Sequence, residues 1–307
     1  MSKKRRRDDR PGPSGFLVID KPAGCTSHDI VDAARGWLGI RQIGHLGTLD
    51  PQATGVLPLA IRSATKLVPF FQEGGKSYVG TVRLGAVTDT LDGEGNVIAR
   101  YDGPLPTAEA LRAAMGAFVG EIEQIPPMYS AVKRDGVPLH RLARQGEEVA
   151  RDPKKVVIRR LELIRYEPPD LEIAVDCGPG TYVRTLAHDL GAALGCGAYL
   201  SGLRRTRSEP FGIEQAVTPE VCEQAAREGR LESMLIAPEL ALGLPTTRLA
   251  APAVDRLAQG GDIAGGDVER ARPGTRFCGL DANGRLVAVL ELRSDRRLWP
   301  LRVLPRD

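Results

Sequence analysis

The stretch KSYVGTVRLGAVTDTLDGEGNVI constrains the fold more than any other part of the chain. Tyr78, Gly80, Val82 and Leu84 alternate with Val79, Thr81 and Arg83, the period-two pattern of a strand whose two faces meet different surroundings. Asp92-Gly93 then supplies a turn before a second short strand. VVIRRLELIRYE and LEIAVDCG read as further strands, and hairpin turns are expected at Asp135-Gly136 and Asn283-Gly284. Helical periodicity separates these segments. Thr26 or Ser27 caps a helix with Ile30, Val31 and Ala34 on its buried stripe, and Thr107 caps another with Leu111, Ala114, Met115 and Phe118 inward. A third helix, TYVRTLAHDLGAALG, follows Pro179-Gly180. Strands interspersed with helices and joined partly by hairpin turns fit an α/β (α+β) fold with a mixed, largely antiparallel sheet, not a doubly wound parallel one.

At 307 residues the chain exceeds the usual size of one domain. A main domain is expected over residues 15–240, with ALGLPTTRLAAP as a linker and residues 245–307 as a small β-rich module. Residues 1–14 read as a disordered basic tail, since Lys3, Lys4, Arg5, Arg6 and Arg7 are consecutive. The other end is basic too, with Arg293, Arg296, Arg297, Arg302 and Arg306, although the net charge is only +3. Charge placed this way suits loose electrostatic contact with nucleic acid. No apolar run of about 18 residues is present, and the basic start is not followed by the apolar core of a secretory signal. A cytosolic protein is expected. Cys25, Cys177, Cys196, Cys222 and Cys278 are scattered, without a C-x-x-C pair, so they read as reduced packing residues.

Several chemistries find no support. His28, His45, His140 and His188 stand far apart, with no H-E-x-x-H, which leaves a catalytic metal without a ligand set. GGKS at residues 74–77 imitates the end of a phosphate loop, but Phe70 stands where the leading glycine belongs, and a strand follows instead of a helix. No G-x-S-x-G elbow occurs.

What remains is a carboxylate in an unusual setting. In GHLGTLDPQATGVL, Gly44, Gly47 and Gly55 strip side chains from around Asp50, and Pro51 confines Asp50 to an extended backbone. The plainer reading makes Asp50 an N-cap and Pro51 the first residue of a helix. His45 reads either as a hydrogen-bonded structural residue or as a wedge in a nucleic-acid fold. Tyr78 is either a half-buried sheet aromatic or a flat face for a bound base. Tyr182 and Arg184 begin a helix, where a cation gains nothing from the dipole, so Arg184 is expected to have a partner elsewhere. A guanidinium beside a buried acid favours its charged form.

Together with DKPAGCTSHD, KSYVGTVRLGAVTDTLD, QIPPMYSAVKRDG, GTYVRTLAHDLG and LRRTRSEPF, this loop resembles the bacterial tRNA pseudouridine synthases of the TruB type, in order from about Gly15 to Phe211. The ending LWPLRVL resembles, less closely, a PUA-related RNA-binding module. The resemblance implies isomerisation of the T-loop uridine, position 55 in tRNA numbering, without cofactor or metal. It implies Asp50 as nucleophile, Tyr78 stacking on the everted base, Arg184 paired with Asp50, His45 in the vacated space, and Tyr182 and Leu203 lining the pocket. RNA contacts are expected from Lys133, Arg134, His140, Arg141, Arg144, Arg204, Arg205 and Arg207, and Lys21 is expected to support the loop without being catalytic. The implied partner is the T-arm of tRNA, the implied state a monomer needing no protein partner. A non-catalytic RNA-binding or tRNA-folding factor is the alternative, and intact Asp50, Tyr78 and Arg184 disfavour it. A guide-RNA-dependent synthase is a second, which the tight spacing and short C-terminal module disfavour.

Overall fold

The computed structural model describes residues 12–305 other than 131, 135, 148 and 269. The basic run at residues 3–7, Asp135 of the expected turn and Arg306 lie outside the described residues. Along the chain run β1 (Gly15–Lys21), α1 (Ser27–Leu38), β2 (Ile43–His45), β3 (Thr54–Ile61), a 3-10 helix (Arg62–Phe71), β4 (Lys76–Leu84), β5 (Ala86–Thr88), β6 (Val97–Arg100), α2 (Ala108–Gly116) and β7 (Gly120–Gln124). The surface hairpin β8 (Lys133–Arg134) and β9 (Val137–Pro138) leads into α3 (Leu139–Arg144). Then come β10 (Lys154–Glu167), β11 (Asp170–Cys177), α4 (Val183–Ala193), β12 (Ala198–Ser208), β13 (Phe211–Gly212), α5 (Pro219–Arg227) and α6 (Pro238–Leu242). The last part holds β14 (Thr246–Arg248), α7 (Ala251–Ala258), β15 (Ile263–Ala264), β16 (Arg276–Leu280), β17 (Leu286–Leu292) and β18 (Arg297–Val303).

The main sheet runs β1-β3-β12-β4-β11-β10-β7, with β2 and β13 attached to β3 and β12. Only β12 against β3 is parallel; the other pairings are antiparallel. This is the mixed, largely antiparallel sheet expected from the hairpin turns. Strand alternation explains why β1 and β3 are almost wholly apolar. Leu17, Ile19, Leu57, Leu59 and Ile61 face the core shared with α1, α2, α4 and α5, whereas Phe16, Val18, Val56 and Ala60 face a second core behind the sheet. A sheet covered on both faces needs apolar residues at both parities.

The second core is closed by the C-terminal part: Cys278, Leu286, Val289 and Leu304 pack in it with Phe16, Leu67 and Phe211. The C-terminal sheet runs β14-β16-β17-β18-β15. Thr246–Arg248, inside the stretch expected to be a linker, is its edge strand and pairs parallel with β16. Only two residues separate Gly243 from that strand, so the connection is also shorter than expected.

Local chemistry fixes the helix that faces the candidate loop. Thr26, not Ser27, caps α1: its Oγ1 accepts from Asp29 N at 3.1 Å while Asp29 Oδ2 accepts from Thr26 N at 2.8 Å, a complete capping box. Gly39, at φ 63°, ends the helix in the left-handed conformation that glycine tolerates best. Ser27 is thereby released for another use.

Candidate active site

No helix follows Asp50. Pro51 and Gln52 form a turn closed by Ala53 N donating to Asp50 O at 3.1 Å, and β3 begins at Thr54. The N-cap reading is therefore set aside, and the carboxylate is not engaged in capping. The loop is held from several sides. Ser27 Oγ donates to Leu49 O at 3.1 Å and accepts from Leu49 N at 2.9 Å. Lys21, fully buried at the end of β1, donates from Nζ to Pro51 O at 2.9 Å, and Gly24 N donates to the same carbonyl at 3.0 Å. Leu49 and Ala53 are buried on either side of Asp50, whose side chain keeps 44% exposure. The acid thus stands on a loop anchored below and open above.

Arg184 arrives from the first turn of α4 and is 7% exposed at its side chain. Its Nη1 lies 3.2 Å from Asp50 Oδ2 and 2.9 Å from Asp92 Oδ2, and its Nη2 donates to Tyr129 O at 2.7 Å. One guanidinium therefore bridges two carboxylates and a backbone carbonyl. Asp92 is placed by the turn after β5. Its Oδ1 accepts from Thr90 Oγ1 at 2.6 Å and Glu94 N at 3.1 Å, and Leu200 N donates to Leu91 O at 3.0 Å, docking that turn on β12. A cavity of 230 Å³ opens beside these acids, lined by Asp50, Ala53, Asp92, Glu94, Leu200 and Leu203 among others.

The electrostatics of Asp50 are contested. Burial pushes its carboxyl above the ordinary value, Arg184 pulls it down, Asp92 pushes it up, and Lys21 pulls it down. The net direction is upward. An acid whose charge is set by a fixed guanidinium and a neighbouring carboxylate is a candidate for a reactive group.

Comparison with known proteins adds the decisive observation. The model of the TruB family pseudouridylate synthase N-terminal domain matches residues 35–183, and that of the tRNA pseudouridylate synthase B C-terminal domain matches residues 184–242. A tRNA pseudouridine synthase B of Geobacter sulfurreducens is 44% identical over 90% of this chain and 93% of its own. That of Pseudomonas aeruginosa is 41% identical over 95% and 96%. The chain belongs to the TruB family of pseudouridylate synthases. Among solved structures, a chain of the archaeal box H/ACA Nop10–Cbf5 complex superposes with a TM-score of 0.70 at 26% identity, covering 98% of this chain and 90% of that one. A chain of an H/ACA ribonucleoprotein bound to a substrate RNA containing 2'-deoxyuridine gives 0.70 at 25%, covering 100% and 95%.

Within this TruB-family fold the expected site residues do not all meet at one point. Asp50 and Leu203 line the cavity, and Arg184 joins them through its pair with Asp50. Tyr182 is the N-cap of α4, its ring centroid 6.0 Å from Arg184 Cζ. Tyr78 lies on β4, 8% exposed within the main core; it is not among the residues lining the 230 Å³ cavity, though its phenol feels the Asp50 charge. Burial raises the phenol above its ordinary value, and Arg205 opposes the shift. His45, at the end of β2, has its Nδ1 buried without a hydrogen-bond partner among the described residues. Burial, then the Arg205 charge, lowers its imidazole, so it is neutral at pH 7.

The expected RNA contacts divide. Arg141 and Arg207 are exposed, and Arg204 pairs with Asp20 at 2.7 Å while remaining 42% exposed. Lys133 and Arg134 lie on β8 and His140 and Arg144 on α3, but their side chains fall outside the described residues. Arg205 is a correction: it is 0% exposed, its guanidinium spent on the protein's own carbonyls, so it cannot reach a phosphate. Asp92 is the acid that the sequence reading missed as a site residue. Its Asp-Gly signal correctly marks a turn, and the available clue to more was Arg184, a cation at a helix N-terminus in need of an anion.

Proposed function

We propose that this chain isomerises the uridine at position 55 in the T-loop of tRNA to pseudouridine, with Asp50 as the nucleophile. The observation that carries the reading is the pairing of Arg184 with Asp50, which lines the cavity, in a chain 41% identical over 95% of its length to a tRNA pseudouridine synthase B. The reaction breaks the N1–C1′ bond, turns the uracil and forms C5–C1′; C5 gives up a proton and N1 takes one. No electrons are exchanged, so residues alone suffice. A base cannot be turned within a stacked loop, and everting it costs roughly a few kcal/mol. The apolar Leu200 and Leu203 wall offsets part of that cost. The carboxylate then attacks C6 or C1′ or abstracts a sugar proton, and each route needs it ionised. Arg184 supplies a fixed cation for that purpose.

In this reading Tyr78 contributes its ring edge or phenol after local rearrangement, His45 fills the space the everted nucleotide leaves, and Tyr182 borders the pocket. The exposed arginines Arg141, Arg204 and Arg207 touch the T-arm backbone, and residues 245–307 act as an RNA-binding module. The working state is a cytoplasmic monomer without cofactor. Among the described residues no helix is long and apolar enough to cross a membrane.

The test uses an unmodified T-arm hairpin carrying tritium at C5 of the target uridine. Wild-type protein is expected to release one tritium per pseudouridine formed, while Asp50→Asn binds the hairpin with unchanged affinity and releases none. Wild-type turnover in Asp50→Asn would remove Asp50 from its role. A protein that only binds or refolds RNA would release no tritium in either form.

A further inference from the structure

Arg205 is the largest fully buried side chain among the described residues. No carboxylate is paired with it there; the interactions that stabilise its charge are with the Tyr78 phenol. Its remaining hydrogen bonds all go to backbone. Nε donates to Val56 O at 2.7 Å, Nη2 to Gly47 O at 3.0 Å and Nη1 to Thr48 O at 3.5 Å. These three carbonyls are the two stems of the Asp50 loop: Gly47 and Thr48 lead up to the acid, and Val56 lies on the strand that descends from it. Tyr78, the fourth partner, is directly opposite Arg205 in the β4–β12 pairing.

The backbone makes the same junction. Arg205 is paired with Gly55 in the parallel β3–β12 ladder, and a Cβ at Gly55 would lie 2.1 Å from Arg205 O. Glycine at 55, with φ +99°, lets β12 approach closely enough for the side chain of 205 to pass beneath the loop. An apolar side chain would fill that volume without desolvating a cation, so stability alone does not call for an arginine there. A planar fork with five donors does something an apolar residue cannot, which is to fix several acceptors at once.

Resting on the assignment of the reaction to Asp50, we infer that Arg205 is a positioning residue for the chemical step: it clamps both stems of the Asp50 loop and ties them to the Tyr78 phenol, holding acid and phenol in one register. It touches neither RNA nor the reacting atoms. Its loss therefore acts on turnover and leaves the RNA-binding surface as it was. Small displacements of a reacting group cost about 100-fold in rate, which sets the expected size of the effect.

The experiment measures single-turnover tritium release and hairpin affinity for wild type, Arg205→Lys and Arg205→Met, with a thermal melt of each. Lysine keeps the charge and nearly the length but cannot satisfy both stems and the phenol together. The expected result is a folded Arg205→Lys whose rate falls about 10-fold and a slower Arg205→Met, about 100-fold down, both with hairpin affinity within about 3-fold of wild type. If Arg205→Met does not fold, Arg205→Lys alone decides. A folded Arg205→Lys with wild-type rate, or rate and affinity falling in parallel, overturns the inference. An inactive wild type sinks instead the assignment of the reaction, so the two failures are distinguishable.

Discussion

Arg184 has more to lose than any other residue of the site, because one guanidinium serves Asp50, Asp92 and the Tyr129 carbonyl from a nearly closed position. Arg184→Met would leave Asp92, 14% exposed, without its cation, and is expected to cost about 3 kcal/mol of stability by chemical denaturation, besides abolishing turnover. Asp92→Asn separates charge from position. Asp92 pushes the Asp50 carboxyl upward, so its neutralisation lowers Asp50 and moves the acid limb of the pH–rate profile to lower pH. In wild type that limb is expected above the ordinary carboxylate range, since activity needs the ionised form and burial favours the protonated one. The linkage runs the other way for stability. A folded-state value raised above the unfolded one adds stability at low pH that is lost as pH rises through it, so Asp50→Asn should melt no lower than wild type at pH 7. Asp50 and Arg184 were legible in the sequence because each sits in a local setting that does not suit it: an acid among glycines, a cation at a helix start. Asp92 was hidden because it also makes an ordinary turn. Arg205 was misread because LRRTR looks uniformly basic, and because alternation continued from the buried Ala198 and Leu200 puts residue 205 on the opposite face, until the register shift between Leu200 and Gly202 turns it inward.

Among the elements, α1 was the most readable and carries a direct test. Its capping box orients Ser27, the first helical residue, onto both backbone groups of Leu49, so the cap reaches the Asp50 loop through one residue. Thr26→Ala is expected to lower stability by about 1 kcal/mol in denaturant titrations, with a loss of turnover smaller than that of Ser27→Val. The hairpin β8–β9 and α3 stand at the opposite extreme. Leu139 is buried, yet the described residues between 125 and 155 contribute to none of the three apolar clusters. Segments with few packed apolar neighbours open readily. The backbone amides of Val137 and of α3 should therefore exchange hydrogen faster than those of α4, and slow when the T-arm hairpin is added. Charge and turn residues made this segment visible in the sequence. β14 was not, because a three-residue edge strand carries too few residues for alternation to register, and Pro245 and Gly243 beside it look like a linker.

At the scale of the whole molecule, the two sheets share an apolar filling. Phe16 and Phe71 meet edge to face at 5.0 Å, Phe211 packs on both, and Val289 and Leu304 of the C-terminal part close the same space. A chain ending at Gly243 would expose this surface, and the expected outcome is a strongly dye-binding, aggregation-prone product with a lowered or absent melting transition. Full retention of the wild-type melt would show that the main sheet stands alone. The sequence announced a β-rich end but could not reveal that it packs in one apolar core with the back of β1, since packing between distant segments leaves no periodic trace in either. β1 itself is the party wall of the building: seven residues long, it presents Phe16 and Val18 to one room and Leu17 and Ile19 to the other, and its last side chain, Lys21, is bolted to the carbonyl next door to Asp50. Wear in either room is felt at that bolt, so a change at the buried Val289 or Leu304 registers as lost chemistry without coming near the uridine.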